Sequence, residues 1–280
     1  MGDIMRVFVL GVDGLDYYLA LKWNLKWLLQ KKNGLIWIDK EYYHDKSNEP
    51  YTPKIWASII TGKRPSEHGI KYLQVWGKNL EKIRWLPVIR HIKGKRRLLS
   101  MFGIKPRVPD KRDLKFNTLF DIIKPSVAVN VICYNDKNEY HVRLRRAIKK
   151  GTKEYIREAW TVHKLRVADT FEALERHEKW KLFMTYFNLL DIIGHVCISK
   201  CNIELRKAYL EMNNLSRKLH ELVDSGDTLF LIISDHGMIP SEDGTTGKHS
   251  NYAFWSINRE YEWKPKDFTD FFYKIQEWVK

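Results

Sequence analysis

The stretch MRVFVLGVDG, residues 5–14, is a short and nearly continuous apolar run that stops at an Asp-Gly pair. An apolar run of this length, bounded by a turn signal, predicts a strand that is buried on both faces, as in a parallel sheet. The predicted strand covers Met5–Val12 and places Asp13 at its carboxyl end. Open α/β sheets bind their ligands at the carboxyl ends of the strands. Asp13 is therefore the first candidate site residue.

Strand and helix patterns alternate along most of the chain. Further strands are predicted at Leu35–Ile38, Val127–Tyr134, Lys181–Asn188, Thr228–Ser234 and Ala253–Ile257. Helices are predicted at Leu15–Lys32, with Gly34 as the stop signal, and at Glu154–Trp180, Ile203–Ser225 and Lys266–Lys280. The alternation predicts an α/β fold in which helices cover both faces of a mostly parallel central sheet, that is, a three-layer αβα sandwich.

Residues 71–116 interrupt this alternation. The segment is basic, contains Pro87, Pro106 and Pro109, and shows no clear period. We interpret it as a small basic insertion over the edge of the sheet, a cap or lid on a single domain that spans residues 1–280.

The composition is that of a globular protein with an excess of positive charge. The 280 residues include 49 Lys and Arg against 34 Asp and Glu, which gives a net charge of +15, and 44% of them are hydrophobic. This balance excludes a disordered chain. Three Cys residues are too few for a disulfide framework. No apolar run approaches the ~18 residues of a membrane helix, so we expect a cytoplasmic protein without a membrane span.

The positive charge alone does not identify a ligand. It fits nucleic acid, an anionic membrane surface or a small phosphorylated substrate equally well. The basic residues lie in local runs, which we interpret as solvated surface: Lys93–Arg97, Lys105–Lys115 and Arg143–Lys150.

Two further strand ends carry side chains that bind metals. The candidate ligands are Asp191 with His195, Asp235 with His236, and His249 from the loop before the last strand. Carboxylates combined with imidazoles are typical of zinc or a related transition metal. Three imidazoles and, with Asp13, three carboxylates are about what two metal ions need if each keeps a position for substrate. We therefore predict two divalent metal ions, with zinc as the first choice and manganese or magnesium as alternatives.

A hydroxyl group at a predicted helix start is the candidate nucleophile. Residues 50–70, PYTPKIWASIITGKRPSEHGI, predict a helix that begins near Thr52-Pro53. Backbone N–H groups at a helix N-terminus lower the pKa of a hydroxyl and hold an oxyanion, which favours Thr52 as nucleophile. The alternative is that Thr52 only caps the helix, a common role of Thr. A metal ion beside it favours the nucleophile, because coordination converts an alcohol into an alkoxide near neutral pH.

The order and spacing of these motifs resemble the alkaline phosphatase superfamily and, within it, the type I phosphodiesterase/nucleotide pyrophosphatase family. The residues that carry the resemblance are Val12-Asp13-Gly14, Thr52, Thr61-Gly62-x-x-Pro65-x-x-His68-Gly69-Ile70, Asp191-x-x-Gly194-His195, Ser234-Asp235-His236-Gly237-Met238 and His249. The resemblance implies an alkaline phosphatase-like fold and a metal-dependent hydrolase of phosphodiester or pyrophosphate bonds, with phosphomonoesters as a further substrate class.

The resemblance also implies a role for each candidate residue. One metal ion would be held by Asp13, Thr52, Asp235 and His236, and the other by Asp191, His195 and His249. Thr52 would attack phosphorus and form a phospho-threonine, which water would then hydrolyse. His68 is not a ligand in that family, and we expect it to hold the turn after the helix.

Ile55 departs from the family pattern, since nucleotide pyrophosphatases typically carry Asn three positions after the nucleophilic Thr. We therefore consider Lys54, Lys248 or a backbone N–H as the donor to the phosphoryl oxygens. The familiar nucleotide pyrophosphatases are also considerably larger, so the resemblance does not imply nucleotide specificity. The residues after Thr52 do not match the formylglycine context of sulfatases.

Two other functions stay open beside hydrolysis of a small anionic phosphate ester. A phosphotransferase or mutase on the same scaffold would pass the phosphoryl group to an alcohol instead of water. A basic protein with a relic site would bind nucleic acid without turnover. Nucleic acid is the less favoured partner, because the sequence contains no recognisable nucleic-acid-binding motif.

Overall fold

Strand β1, Arg6–Val12, lies inside the central sheet of the fold. Its side chains alternate between two apolar layers. Val7 and Val9 pack on one face of the sheet, and Phe8 and Leu10 pack on the other. The strand is therefore buried on both faces, as its unbroken apolar run predicts.

The computed structural model describes residues 6–75 and 106–279. The strands of these residues are β1, β2 (Lys32–Trp37), β3 (Ser126–Val129), β4 (Leu182–Phe187), β5 (Thr228–Ile233), β6 (Met238–Pro240), β7 (Gly247–His249) and β8 (Tyr252–Ile257). Six of them form one sheet in the order β2-β8-β5-β1-β4-β3, and β6 pairs with β7 in a separate ribbon. Strands β5, β1, β4 and β3 run parallel. Strand β8 is antiparallel to β5, and β2 is antiparallel to β8.

Helices cover both faces of the sheet. They are α1 (Tyr17–Lys22), α2 (Lys26–Leu29), α3 (Thr52–Thr61), α4 (Pro65–His68), α5 (Leu119–Ile122), α6 (Asn138–Ile148), α7 (Thr152–Arg176), α8 (Leu189–Cys197), α9 (Asn202–Val223) and α10 (Thr269–Trp278), with 3₁₀ turns at Lys40–Tyr42 and Lys111–Asp113. Helices α3 and α10 pack in one layer, and α7, α8 and α9 pack in the other. This three-layer αβα sandwich confirms the predicted fold class. None of the described helices has the length and apolar character needed to cross a membrane.

The predicted helix Leu15–Lys32 is wrong in extent. The chain forms the two short helices α1 and α2 instead, and β2 begins at Lys32. Asn24, which follows α1, has a φ of 49°, and Gln30, which caps α2, has a φ of 54°. Such left-handed residues end a helix, and the spacing of the apolar residues did not reveal them. The predicted stop signal, Gly34, lies inside β2.

The other predicted elements agree in type and differ at their ends. Strands β4, β5 and β8 each begin and end within one residue of the prediction. The predicted strand Val127–Tyr134 is too long, since β3 ends at Val129. Asn130 and Cys133, with φ of 55° and 62°, turn the chain out of the sheet there. Helix α7 ends at Arg176 rather than at Trp180, and α10 begins at Thr269 rather than at Lys266.

Most of the predicted cap, residues 71–116, lies outside the described residues. Its two ends are described, and they meet. Val75 and Arg107 exchange two backbone hydrogen bonds of 2.8 and 3.0 Å. Arg107 Nη1 also lies 2.6 Å from Asp113 Oδ2, and this ion pair holds the chain in place where it returns to the domain. The segment therefore leaves and re-enters the domain at one point, and its function as a cap stays a prediction.

Candidate metal centre

The carboxyl ends of three neighbouring parallel strands bring Asp13, Asp191 and Asp235 to one place. The backbones are joined there, because the Asp13 N–H donates to the Phe187 carbonyl at 2.9 Å and the Asp191 N–H donates to the Asp13 carbonyl at 3.1 Å. Gly14 has a φ of 71°, and a Cβ on it would lie 2.7 Å from the Asp191 Cα. Only glycine permits this conformation and this close approach. The Asp13-Gly14 pair thus brings β1 against the start of α8.

His236 lies at the centre of the cluster. Its Nε2 is 3.2 Å from Asp13 Oδ1, 3.5 Å from Asp235 Oδ2 and 4.0 Å from Asp191 Oδ1. Its ring stacks on that of His249 with centroids 3.6 Å apart. Two groups of donors, which share His236, each keep their ligand atoms within 4.8 Å of one another: Asp13, Asp235 and His236, and Asp191, His236 and His249. The spacing in both groups fits a bound metal ion.

His195 extends the second of these groups. Its Nε2 is 3.0 Å from His249 Nε2 and 3.2 Å from Asp191 Oδ1. Asp191 and His195 are four residues apart on α8, so one helix face presents both. Burial lowers the pKa of His195, but the Asp191 carboxylate outweighs it and raises the pKa to about 9. A metal ion bound at this nitrogen therefore has to displace a proton.

Each imidazole of the cluster turns the same nitrogen toward the carboxylates. The other nitrogen, Nδ1, donates to a backbone carbonyl in every case: His195 to Gly247 at 2.9 Å, His236 to Gly237 at 3.0 Å, and His249 to Pro50 at 2.7 Å. A carbonyl only accepts, so Nδ1 carries a proton, and Nε2 is the nitrogen that can offer its lone pair to a metal ion. Three such lone pairs that converge are what a metal site requires.

The carboxylates hold buried oxygens that no described residue satisfies. Asp13 Oδ1, Asp191 Oδ1 and both carboxylate oxygens of Asp235 lack a hydrogen-bond partner among these residues. Burial, together with the charge of Asp191, raises the pKa of Asp13 to about 7. Burial, together with the charge of Asp13, raises the pKa of Asp235 to about 7 as well. Divalent cations satisfy such oxygens and remove their mutual repulsion, so the residues present fit a metal centre.

Thr52 is the first residue of α3, and its side chain reaches this cluster. Its Oγ1 lies 3.4 Å from His236 Nε2. Tyr51 occupies the N-cap position, and no side chain caps the helix. The alternative interpretation, in which Thr52 caps the helix, is therefore wrong. Pro53 follows in the first turn, where the helix needs no N–H from it.

A family model decides which family these motifs belong to. The model for type I phosphodiesterase / nucleotide pyrophosphatase matches residues 7–253, a range that contains every residue of the cluster. The chain belongs to this family. The match confirms the resemblance seen in the motifs. Members of the type I phosphodiesterase/nucleotide pyrophosphatase family generally depend on divalent metals, which agrees with the two donor groups.

Two solved structures similar to this chain have longer chains. One is phosphonoacetate hydrolase from Sinorhizobium meliloti 1021 in complex with phosphonoformate, with 15% sequence identity and a TM-score of 0.49. The other is murine ectonucleotide pyrophosphatase / phosphodiesterase 5, with 14% identity and a TM-score of 0.49. The matches cover 87% and 85% of this chain, which spans 59% of each of those chains. No curated protein sequence matches the chain.

The two lysines considered as phosphoryl donors have other partners in this family member. Lys54 is buried, and its Nζ donates to the Tyr43 carbonyl at 2.5 Å and to the Glu41 carbonyl at 3.3 Å. Lys248 pairs with Glu242 at 3.1 Å. The described lining of the cleft that contains Thr52 includes neither lysine. The structure thus does not bring them to the metal centre, and their contact with substrate stays a prediction.

The cleft beside Thr52 has a volume of about 300 Å³ and contains residues that the sequence analysis did not select. They include Tyr51, His141, Arg145, Tyr155 and Asn188. Arg145 belongs to the basic run Arg143–Lys150, which we interpreted as solvated surface, and for Arg145 that interpretation is wrong. The helical spacing of His141, Leu144, Arg145 and Ile148 is visible in the sequence. That spacing marks one face of a helix, but it does not show that the face adjoins the metal centre.

Proposed function

We propose that the protein hydrolyses phosphodiester or pyrophosphate bonds with two divalent metal ions and with Thr52 as the nucleophile. The observation that supports this proposal most is the position of the Thr52 hydroxyl beside three carboxylates and three imidazoles that converge from distant segments. Membership of the type I phosphodiesterase/nucleotide pyrophosphatase family supports the same chemistry.

The donors divide into two sets. Asp13, Asp235 and His236, with Thr52 beside them, would hold one ion, and Asp191, His195 and His249 would hold the other. The mixture of carboxylate and imidazole favours zinc, with manganese as the next choice. Two such ions supply the charge that lowers the pKa of a hydroxyl and stabilises the negative charge of a phosphoryl group in the transition state.

The reaction proceeds through the side chain of Thr52. A bond forms between Thr52 Oγ1 and phosphorus as the bond from phosphorus to the leaving oxygen breaks, and the hydroxyl proton passes to solvent. Water then attacks phosphorus, releases the phosphate or phosphate monoester, and restores the threonine hydroxyl. Thr52 is the first residue of α3, so the positive end of the helix dipole lies beside the site of attack, where it favours an oxyanion.

Turnover of bis-p-nitrophenyl phosphate tests the proposal. The protein, freed of metal and reloaded with zinc or manganese, should bind about two ions per chain and release p-nitrophenolate. Thr52→Val keeps the shape of the side chain and removes the hydroxyl, so we expect turnover to fall on the order of a thousandfold or more. Thr52→Ser is the matched control, because it keeps a hydroxyl at the same place.

Two results would contradict the proposal. One is a Thr52→Val variant, shown to be folded by circular dichroism, that retains the turnover of the wild type. The other is a reloaded protein that holds no metal by elemental analysis. Adding an alcohol acceptor and analysing the products separates hydrolysis from phosphoryl transfer.

A further inference from the structure

Helix α6 forms one wall of the cleft that contains Thr52. Its residues in the cleft are His141, Leu144, Arg145 and Ile148. They recur at intervals of three and four residues, so they form one continuous face of the helix. Thr52 and the ligands Asp13, Asp191, His195 and His249 line the same cleft. This face of α6 is therefore within the space open to a phosphate ester that reacts at Thr52.

Arg145 carries a positive charge in this wall. It is the one Lys or Arg among the described residues that line the cleft. Arg145 is half-buried and has no hydrogen-bond or ion-pair partner among the described residues. Burial lowers its pKa, and no acidic neighbour in the described part of the chain opposes this effect. A partly buried cation without a counter-ion is unfavourable, and an anionic ligand relieves that cost.

Neighbouring basic residues behave differently, which makes Arg145 distinctive. Arg143, two residues earlier on α6, is paired with Glu158 of α7. Arg146, the next residue, is exposed to solvent rather than facing the cleft. The surface interpretation of the basic run thus holds for Arg146, whereas Arg145 is turned toward the site.

A buried acidic group close to this face, Asp136, is already paired. Asp136 is fully buried between two partners, with Oδ1 at 2.8 Å from Arg166 Nη2 and Oδ2 at 2.5 Å from His141 Nε2. These contacts also hold the His141 ring at the cleft, one helical turn before Arg145. Asp136 is therefore committed to Arg166 and His141 and does not compensate the charge of Arg145.

We propose that Arg145 binds a second oxyanion of the substrate, a phosphate or carboxylate other than the phosphoryl group attacked by Thr52. This inference rests on the proposed function, because it assumes that the ester binds at Thr52. A guanidinium suits this role, since its planar fork makes paired hydrogen bonds to carboxylate and phosphate oxygens. The preferred substrates would then be phosphate esters or pyrophosphates that carry an additional negative charge. Arg145 would be a specificity residue that leaves the chemical step unchanged.

A matched pair of diesters tests this assignment. Both release p-nitrophenolate: bis-p-nitrophenyl phosphate, and its analogue in which a 4-carboxyphenyl group replaces one nitrophenyl group. With the zinc-loaded wild type, we expect the carboxylated ester to show the lower KM. Arg145→Ala should raise its KM on the order of tenfold, with kcat nearly unchanged, because a charged hydrogen-bonded contact distant from the reacting bond is lost. The KM of bis-p-nitrophenyl phosphate should change less than about twofold.

Two further variants control for charge and for folding. Arg145→Lys keeps the positive charge but loses the planar guanidinium that makes paired hydrogen bonds. Its KM for the carboxylated ester should therefore lie between those of the wild type and Arg145→Ala. Arg146→Ala removes the same group from the exposed side of α6 and should leave both KM values unchanged. An Arg145→Ala variant with the same ratio of KM values for the two esters as the wild type would overturn the inference.

Failure of this inference can be distinguished from failure of the proposed function. Binding of both esters to the zinc-loaded Thr52→Val variant is measured by calorimetry, which requires no turnover. Arg145→Ala is added to this variant for the comparison. Suppose that the wild type cleaves neither ester but that Arg145→Ala weakens binding of the carboxylated ester alone. The proposed function is then wrong, and the oxyanion site is confirmed. If the wild type cleaves both esters and Arg145→Ala weakens binding of neither, only the oxyanion site is wrong.

Discussion

His68 differs from the three imidazoles of the metal centre in how it uses its ring nitrogens. It is buried, its Nδ1 accepts from the Ile70 N–H at 3.0 Å, and its Nε2 lies 3.1 Å from the Lys54 carbonyl. Both nitrogens are therefore occupied by the backbone on either side of the turn after α3. The imidazoles of the metal centre bond the backbone through Nδ1 alone. The prediction that His68 holds the turn and binds no metal agrees with these contacts.

The first prediction concerns the protonation of His68. Burial lowers its pKa from the usual 6.5 to about 4. The unfolded chain therefore takes up this proton first as the pH falls, so the stability contributed by the neutral ring is complete above pH 6.5 and is lost toward pH 4. Between pH 7 and pH 5 we expect the wild type to lose about 2 kcal/mol more than His68→Gln, which cannot titrate.

Urea unfolding at the two pH values, with a chelator present in both samples, measures this difference. The chelator removes the separate pH dependence of metal binding. Equal losses of unfolding free energy for the wild type and His68→Gln would show that His68 is protonated in the folded protein as readily as in the unfolded one.

At the scale of elements, the buried ion pair between Arg166 and Asp136 links α7 to the loop that follows β3. Arg166 of α7 is fully buried, and its Nη1 donates to the carbonyls of Asn130 and Tyr186 at 3.4 Å each. Its Nη2 lies 2.8 Å from Asp136 in the loop that follows β3. Burial acts to raise the pKa of Asp136, but Arg166 and His141 together outweigh it and hold that pKa below its usual value. The pair also supports α6, since Asp136 holds His141.

The second prediction concerns this pair. Asp136→Asn leaves the Arg166 charge buried without a counter-charge, and we expect it to lower the free energy of unfolding by about 3–5 kcal/mol. The control is Glu158→Gln, which removes the partner of the half-exposed Arg143 and should change the free energy by less than about 1 kcal/mol. Urea unfolding followed by circular dichroism measures both values. Equal, small effects would mean that the Arg166 charge is compensated elsewhere.

At the scale of the whole molecule, the candidate metal centre joins segments that are far apart along the chain. Its donors come from the ends of β1 and β5, from α8 and from β7, and Thr52 comes from α3. A ligand that binds these segments only when they are folded together stabilises the whole domain. Without it, the carboxylates Asp13, Asp191 and Asp235 repel one another in a buried site.

The third prediction is that divalent metal raises the stability of the entire fold. Removing metal with a chelator should lower the midpoint of thermal unfolding, and zinc or manganese should restore it. Metal at 100 times its dissociation constant should add about 2.7 kcal/mol for each independent site that it occupies. His249→Gln should reduce this gain, because it removes a donor of the second group. Thr245→Ala, at an exposed position in the turn before β7, is the control.

Scanning calorimetry of the wild type and both variants, with and without metal, measures the gain. An unfolding midpoint that does not respond to metal in the wild type would contradict the grouping of these residues into a metal centre. A gain of the same size in His249→Gln would show that His249 is not a ligand.

Much of the fold and of the metal centre was predictable from local patterns. The run before Asp13 and those before Asp191 and Asp235 are apolar, short and stopped by polar residues, and parallel strands necessarily end at one edge. The break in the predicted helix Leu15–Lys32 was not predictable, because the apolar spacing continues through Asn24 while the backbone there turns left-handed. The strand ends are encoded by runs of neighbouring residues, whereas the break at Asn24 depends on a backbone conformation that the apolar spacing does not show.

The sequence by itself determined the element types, the parallel centre of the sheet and the residues at its carboxyl edge, because alternation of strands and helices and apolar burial are properties of short segments. Only the tertiary structure decided how the long basic side chains are used. Lys54 lies two residues after Thr52, yet its side chain donates to the backbone carbonyls of Glu41 and Tyr43. Arg145 is distant from Thr52 in sequence but lines the cleft that contains it. The direction of a long charged side chain depends on the surfaces and partners around it, and these come from segments brought together only by folding.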